Sequence, residues 1–389
     1  MNTPGAPSSR PPGVFTSAFL ALSLMSLVTY FGVQLLTASF PLYAAQLGAD
    51  DAAIGLLVGV IATVSLVLRP FAGWWLDRGL VIPALVAGIL TYIISAVGYW
   101  IAASVAVLLA ARAFTGAGVA LFVTGGQTLT VSLAPAERRG EALSLYAITH
   151  PLAQILAPPI GVAVAQAFGY RWLFAACIAI HLIGLALMWP LRGVRAPARP
   201  HTRLRLIHPA VLLPGVWMLA LMVTYGAALG LLAVHAARRG LGNPGVVFTA
   251  MAVGLLAVLL TVGRVSDRAG RRAMIVPGMA LAACGMGLAA VLHGWALTLA
   301  GAVMGIGLGL AQPSLFAAGV DLVADEERGR AIATMGLFLE VGIGLGAIGG
   351  GVLARSVGTD VMFGVAGMFP ALGAVMVWLI PARGSAAQG

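Results

Sequence analysis

Twelve long apolar stretches follow one another along the chain, near residues 15–44, 52–76, 81–101, 104–133, 138–168, 170–191, 209–237, 245–266, 273–293, 295–323, 328–357 and 359–381. Each can supply the roughly 20 residues that a helix needs to cross about 30 Å of hydrocarbon, and tilt absorbs the excess in the longer ones. Without water to bond the backbone, uninterrupted stretches of this kind are stable as helices. The predicted fold class is therefore an all-α membrane protein with twelve transmembrane helices. Composition agrees, with only 9% of residues charged and 60% apolar, where a soluble domain carries about 25% charged residues.

The spans divide six and six. The longest polar interruption, residues 192–208 (RGVRAPARPHTRLRLIH), holds five arginines and two prolines and reads as a linker. The predicted units are a polar, Pro-rich N-terminal tail over 1–13, a first six-helix bundle over 14–191, the linker, a second bundle over 209–382 and a tail over 383–389. Every basic residue is an arginine. Sixteen of them fall on the side that holds the N-terminus and the linker (Arg10, Arg78, Arg138, Arg139, Arg192, Arg195, Arg199, Arg203, Arg205, Arg264, Arg268, Arg271, Arg272, Arg328, Arg330, Arg383). Four fall on the other side: Arg171, Arg238, Arg239 and Arg355. The positive-inside rule then places both termini in the cytoplasm of a bacterial cell, with the protein in its inner membrane.

The halves echo each other. Gly73-x-x-x-Asp77-Arg78 recurs as Gly263-x-x-x-Asp267-Arg268, at an offset of 190. Gly116-Ala-Gly118 recurs as Gly305-Ile-Gly307, and Glu137-Arg-Arg-Gly140 as Glu326-Glu-Arg-Gly329, both at 189. Parallel six-helix repeats with a binding site between them are a transporter architecture.

On these residues the chain resembles the major facilitator superfamily, from about Phe15 to Ala382. Residues 263–272 (GRVSDRAGRR) match that family's signature loop, while the first copy has Leu80-Val81-Ile82 where a closing basic pair is usual. The resemblance implies two pseudo-symmetric six-helix bundles that rock about a central cavity lined by spans 1, 4, 7 and 10. It also implies a gating role for Gly73, Asp77, Arg78, Gly263, Asp267, Arg268, Arg271 and Arg272 on the cytoplasmic side, with Asp77 and Asp267 as the latch carboxylates. A carboxylate at a helix end can bond the free N–H groups of a neighbouring helix start, which suits a latch. Arg112-Ala-Phe-Thr-Gly116 is similar to the arginine-glycine motif of proton-coupled members. Ala157-Pro158-Pro159-Ile160-Gly161 resembles an exporter motif, although its leading glycines are absent.

The candidate substrate or coupling residues are polar groups inside apolar spans. An intramembrane charge is costly and normally faces a cavity or a partner. Arg112 lies within span 4, where it would influence a coupling acid or bind an anionic group. Glu340 is the acid placed mid-membrane, about 18 Å up span 11 at 1.5 Å per residue. It is expected to carry a coupling proton or to meet a cationic substrate, or else to be a structural acid bonded to an arginine or tyrosine. Tyr30, Gln34 and Thr37 share a face of span 1. His150 and Gln154 are four apart in span 5, and Tyr225 and Gln312 stand in apolar surroundings of spans 7 and 10. Arg69, near the end of span 2, reads as interfacial or paired. Gly342, Gly346 and Gly350 form a four-residue stripe suited to close helix packing.

Several classes are disfavoured. The net charge of +10 sits in short clusters between spans, unlike the basic face of a nucleic-acid-binding domain. Cys177 and Cys284 fit no disulfide or metal spacing, and the six histidines form no metalloprotease pattern. No enzyme and no cofactor are expected. The reading is a secondary transporter whose partners are a small molecule, protons and the bilayer, and nothing requires a second subunit, so a monomer is expected. Proton-coupled export of a small amphipathic or cationic compound leads. An importer or uniporter of a small polar metabolite is the alternative, with a non-transporting membrane sensor or a membrane-embedded enzyme as alternatives of another class.

Overall fold

A computed structural model describes residues 13–194, 207–324 and 327–380, apart from the side chains of 260–265, 267 and 268. The described chain is helical, with no strand. In order the helices are α1 (Ser17–Gln34), α2 (Leu36–Gln46), α3 (Asp51–Asp77), α4 (Val81–Ile101), α5 (Val105–Leu133), α6 (Arg139–Ala147), α7 (Thr149–Phe168) and α8 (Tyr170–Ala186) in the first half. The second half has α9 (Leu212–Arg238), α10 (Gly245–Ala269), α11 (Arg271–Val291), α12 (Leu297–Val320), α13 (Arg328–Val357) and α14 (Thr359–Leu379). The pairs α1–α2 and α6–α7 each make one span, which gives six crossings per half. Most of the N-terminal tail (1–12), most of the linker (195–206) and the C-terminal tail (383–389) lie outside the described residues.

The expected spans differ from the observed helices where proline intervenes. Span 5 is interrupted at Ile148, three residues before Pro151, whose ring cannot sit under the Ala147 carbonyl of a continuous helix. Helix α8 ends at Ala186 and not at 191, because Pro190 has no N–H to return to the Ala186 carbonyl. Helix starts carry side-chain caps: Asp50 Oδ1 accepts from the Ala53 N–H at 2.8 Å, and Thr16 Oγ1 accepts from the Phe19 N–H at 3.1 Å. Gly169 (φ 89°) and Gly358 (φ 86°) are one-residue joints between α7 and α8 and between α13 and α14. Both need the left-handed conformation that glycine adopts without strain. They stand 189 residues apart, a further element of the repeat.

The repeated glycines do equivalent work. A Cβ on Gly116 would meet Ile61 of α3, and one on Gly118 would meet Tyr92 of α4. In the second half, a Cβ on Gly305 would meet Met251 of α10, and one on Gly307 would meet Ala282 of α11. Lipid is as apolar as leucine, so close approach over small residues replaces the hydrophobic effect as the packing force. The outer surface is apolar, with Leu24, Val67, Ile94, Leu182 and Leu372 among the exposed side chains. Exposed tryptophans mark two belts: Trp74, Trp189 and Trp378 on the face where α1 begins and α14 ends, and Trp100, Trp172 and Trp295 on the opposite one. These are called the terminal face and the far face below.

The halves meet along α3–α13 and α7–α10, and α2 also lies on α9. Gly55 and Gly351 bring the backbones of α3 and α13 together. Pro159 has no N–H for the Ile155 carbonyl, and Thr249 Oγ1 of α10 donates to that freed carbonyl at 2.6 Å. Asn243 Nδ2 donates to the Pro159 carbonyl at 2.9 Å. At the far face, Arg238 pairs with Asp51 at 2.8 Å and Arg355 with Asp50 at 3.0 Å, both across the halves. On the terminal face, the pairs Arg138–Glu141, Arg271–Asp321 and His208–Glu327 each stay within one half. The halves are thus joined toward the far face. Replacing Thr249 by valine removes one half-buried inter-half bond worth about 1 kcal/mol, roughly a five-fold shift in population. The expected result is a larger far-face-open fraction, read as longer distances between spin labels at Gln46 and Gly242.

Candidate functional site

Between the halves lies a cavity of about 580 Å³, within the usual range for small-molecule sites. Most of its wall is apolar, from Val58, Met222, Leu255, Leu308, Phe316 and Ile343. Its polar groups are few and converge from six spans: Gln34 and Thr37, Arg112, His150 and Gln154, Tyr225, Gln312, and Glu340. Thr37 Oγ1 donates to Gln34 Oε1 at 2.8 Å. Tyr225 is not isolated, because its hydroxyl lies beside the Gln154 side chain. Span 2, expected to stand outside the lining set, contributes Val58, Ile61 and Ala62.

Tyr30 stands behind the wall. Its ring meets His150 edge-on at 5.2 Å and Phe122 at 5.6 Å, so it orients His150 and does not itself line the cavity. Its hydroxyl lies beside that of Tyr146, which accepts from Ser26 at 3.0 Å.

Two charged groups line the cavity, and they are in different situations. Glu340 is buried and forms an ion pair with Arg69. Arg69 belongs to α3 and Glu340 to α13, so the pair bridges the halves at the cavity wall. From sequence Arg69 reads as interfacial or paired, with no partner named; the signal available was that an intramembrane acid needs one. Arg112 is 6% exposed, and its guanidinium carbon lies 3.5 Å from the centre of the Phe40 ring and 5.7 Å from that of Tyr99. Its Nε is buried with no hydrogen-bond partner among the described residues. Phe40 was missed because nothing local marks it; its place under Arg112 depends on where α2 lies relative to α5.

Among the described loop residues expected to latch the terminal face, the following contacts are seen. Arg271 bonds Asp321, at 2.9 Å, and Ser266, at 3.2 Å, both in its own half. The loop between α10 and α11 sits beside the end of α12, which makes this the nearer carboxylate. Arg78 stacks on Trp74 of its own helix at 3.5 Å. Asp77, after Gly73 at the end of α3, has no hydrogen bond or ion pair among the described residues, and Arg272 opens α11. The side chains of Asp267 and Arg268, with Gly263, lie outside the described residues.

The sequence model of the Major Facilitator Superfamily matches residues 22–244 and 240–388. The chain belongs to the major facilitator superfamily. This member is similar to "Multidrug export protein EmrB" of Haemophilus influenzae, 24% identical over 53% of this chain and 41% of that one. It is also similar to "Staphylopine export protein" of Staphylococcus aureus, 25% identical over 63% of this chain and 65% of that one. The chain thus spans about two fifths to two thirds of the length of these relatives. Its fold matches a crystal structure of the peptide transporter POT in complex with sulfate, with a TM-score of 0.79 and 14% identity, over 95% of this chain and 96% of the other. The chain is thus a multi-pass member of a transporter family, and it resembles drug exporters over part of their length.

Proposed function

We propose that this facilitator is a proton-coupled efflux antiporter that works as a monomer by alternating access. Both termini are placed on the cytoplasmic side of a bacterial inner membrane. The observation that carries the coupling is the Arg69–Glu340 pair, an intramembrane carboxylate bound to the opposite half at the wall of the cavity. Ionised, Glu340 ties α13 to α3. A proton on it cancels the charge, weakens the tie and lets the halves move apart. Loss of the proton restores the pair. The sixteen-to-four arginine bias supports the orientation, and the two exporters among its relatives support export.

Gln34, His150, Gln154, Tyr225 and Gln312 then orient the substrate within an apolar wall, with Tyr30 holding His150. Asp77 and Arg78, with Asp267, Arg268, Arg271 and Arg272, act on the terminal face when the halves close there. A simple facilitator is the second reading, favoured by the fact that Glu340 already has a structural partner. Proteoliposomes separate the two. Under an imposed pH gradient, a transported compound should accumulate against its own gradient, and a protonophore should abolish that accumulation. Flux indifferent to the gradient would leave a facilitator, with Glu340 structural.

A further inference from the structure

Charge inside the cavity does not balance. Arg112 and Glu340 are the charged groups of its lining, and Glu340 is already taken by Arg69, a second guanidinium bonded to it at the wall. The other carboxylates that cross between the halves, Asp50 and Asp51, are held at the far face by Arg355 and Arg238. Arg112 is left with an aromatic ring below it, a phenol beside it and a buried, unbonded Nε. A desolvated cation over an aromatic face gains about 2 kcal/mol. Removing a charge from water costs several kcal/mol even after relaxation. The ring therefore does not compensate the burial, and an anion entering the cavity would.

We propose that Arg112 is the anion-binding residue of the cavity, and that the transported compound is a small amphipathic monoanion, most simply a carboxylate with an apolar body. The proposal rests on the central cavity being the transport site, and it sets the charge of what that site accepts. Arg112 is fork-shaped and cannot lose its proton, which suits two-point binding of a carboxylate. Gln34 and Thr37, on the same wall, add neutral polar groups. Leu308, Phe316 and Ile343 offer the apolar surface for the body. A cationic compound meets an arginine with no counter-charge and a carboxylate already paired with Arg69, so the charge pattern reverses the preference expected from Glu340 alone.

The test is equilibrium binding to the purified full-length protein, by titration calorimetry. Probes are graded aryl- and alkyl-carboxylates, such as phenylbutyrate, each with its methyl ester and a quaternary ammonium of matched shape. A hydrogen-bonded charge pair is worth about 1.5–3 kcal/mol, so the acid should bind at least about ten-fold tighter than its ester. The ammonium should bind more weakly than either. Arg112→Gln should erase the preference for the acid, and Arg112→Lys should keep part of it. Equal binding of acid and ester by the wild-type protein, tighter binding of the ammonium, or no carboxylate binding at all would overturn the proposal. So would an acid preference that survives in Arg112→Gln. If Arg112→Gln does not fold, the Arg112→Lys titration decides: an undiminished acid preference there overturns the proposal, because the fork would then be unnecessary. Failure of the antiporter reading looks different, namely carboxylate binding at Arg112 without proton movement. Proton movement driven by cations, with no acid preference, would remove this proposal alone.

Discussion

Glu340→Gln should abolish accumulation driven by a pH gradient while leaving downhill exchange of substrate in place. Glutamine keeps the size of the side chain and can still accept a hydrogen bond from Arg69, but it cannot take up or release a proton. The half-open setting of Arg69, whose side chain is 35% exposed, lets water reach the guanidinium. The stability loss is therefore expected near about 1 kcal/mol, below the 3–5 kcal/mol of a broken, fully buried pair. The check compares two assays on one preparation. Gradient-driven accumulation should fall to that of protein-free vesicles, and exchange should stay close to the wild-type rate. If both persist, Glu340 carries no coupling proton. If both vanish with a lowered unfolding temperature, the residue is structural.

The second large effect concerns folding. Gly342, Gly346 and Gly350 of α13 face α9. A Cβ on Gly346 would run into the Val223 carbonyl, and one on Gly226 into the Ile343 carbonyl. Backbone fills the space on each side, so no rotamer change makes room. Gly346→Val should destabilise the second half by at least about 3 kcal/mol, the upper range for overpacking a close-packed core. The readout is the yield of monodisperse protein and its unfolding temperature. Gly349→Ala on the same helix is the control: nothing lies within 4 Å of its added Cβ, so it should behave as wild type. A folded Gly346→Val protein with an unchanged unfolding temperature would contradict the packing account.

Much of the architecture is legible in the chain because membrane helices declare themselves locally. Span length, the arginine-rich interruption at 192–208 and the offset of 189 are all readable one segment at a time. The glycine stripe of span 11 belongs to the same class, since four-residue spacing puts small residues on one helical face. Gln34, Arg112, Gln154, Gln312 and Glu340 stand out because a polar group in an apolar span needs a reason.

What could not be read is whatever depends on how two bundles dock. Arg69 and Glu340 are 271 residues apart, and no periodicity links them. Arg238 and Asp51 are separated by 187. Pro158 and Pro159 of span 5 mark a weakened backbone, but not that Thr249 of the other half would bond to the carbonyl that Pro159 frees. Tyr30 shares a face with Gln34 in sequence, yet the interruption at Leu35 and the packing of Phe122 set its ring behind His150.

The most direct test of the coupling is substrate-evoked proton movement, read by a pH-sensitive dye inside proteoliposomes held under an imposed pH gradient. Adding a transported compound to wild-type vesicles should collapse the gradient, and the same addition to Glu340→Gln vesicles should leave it intact. A compound that crosses the membrane without moving protons in the wild-type protein would contradict the account.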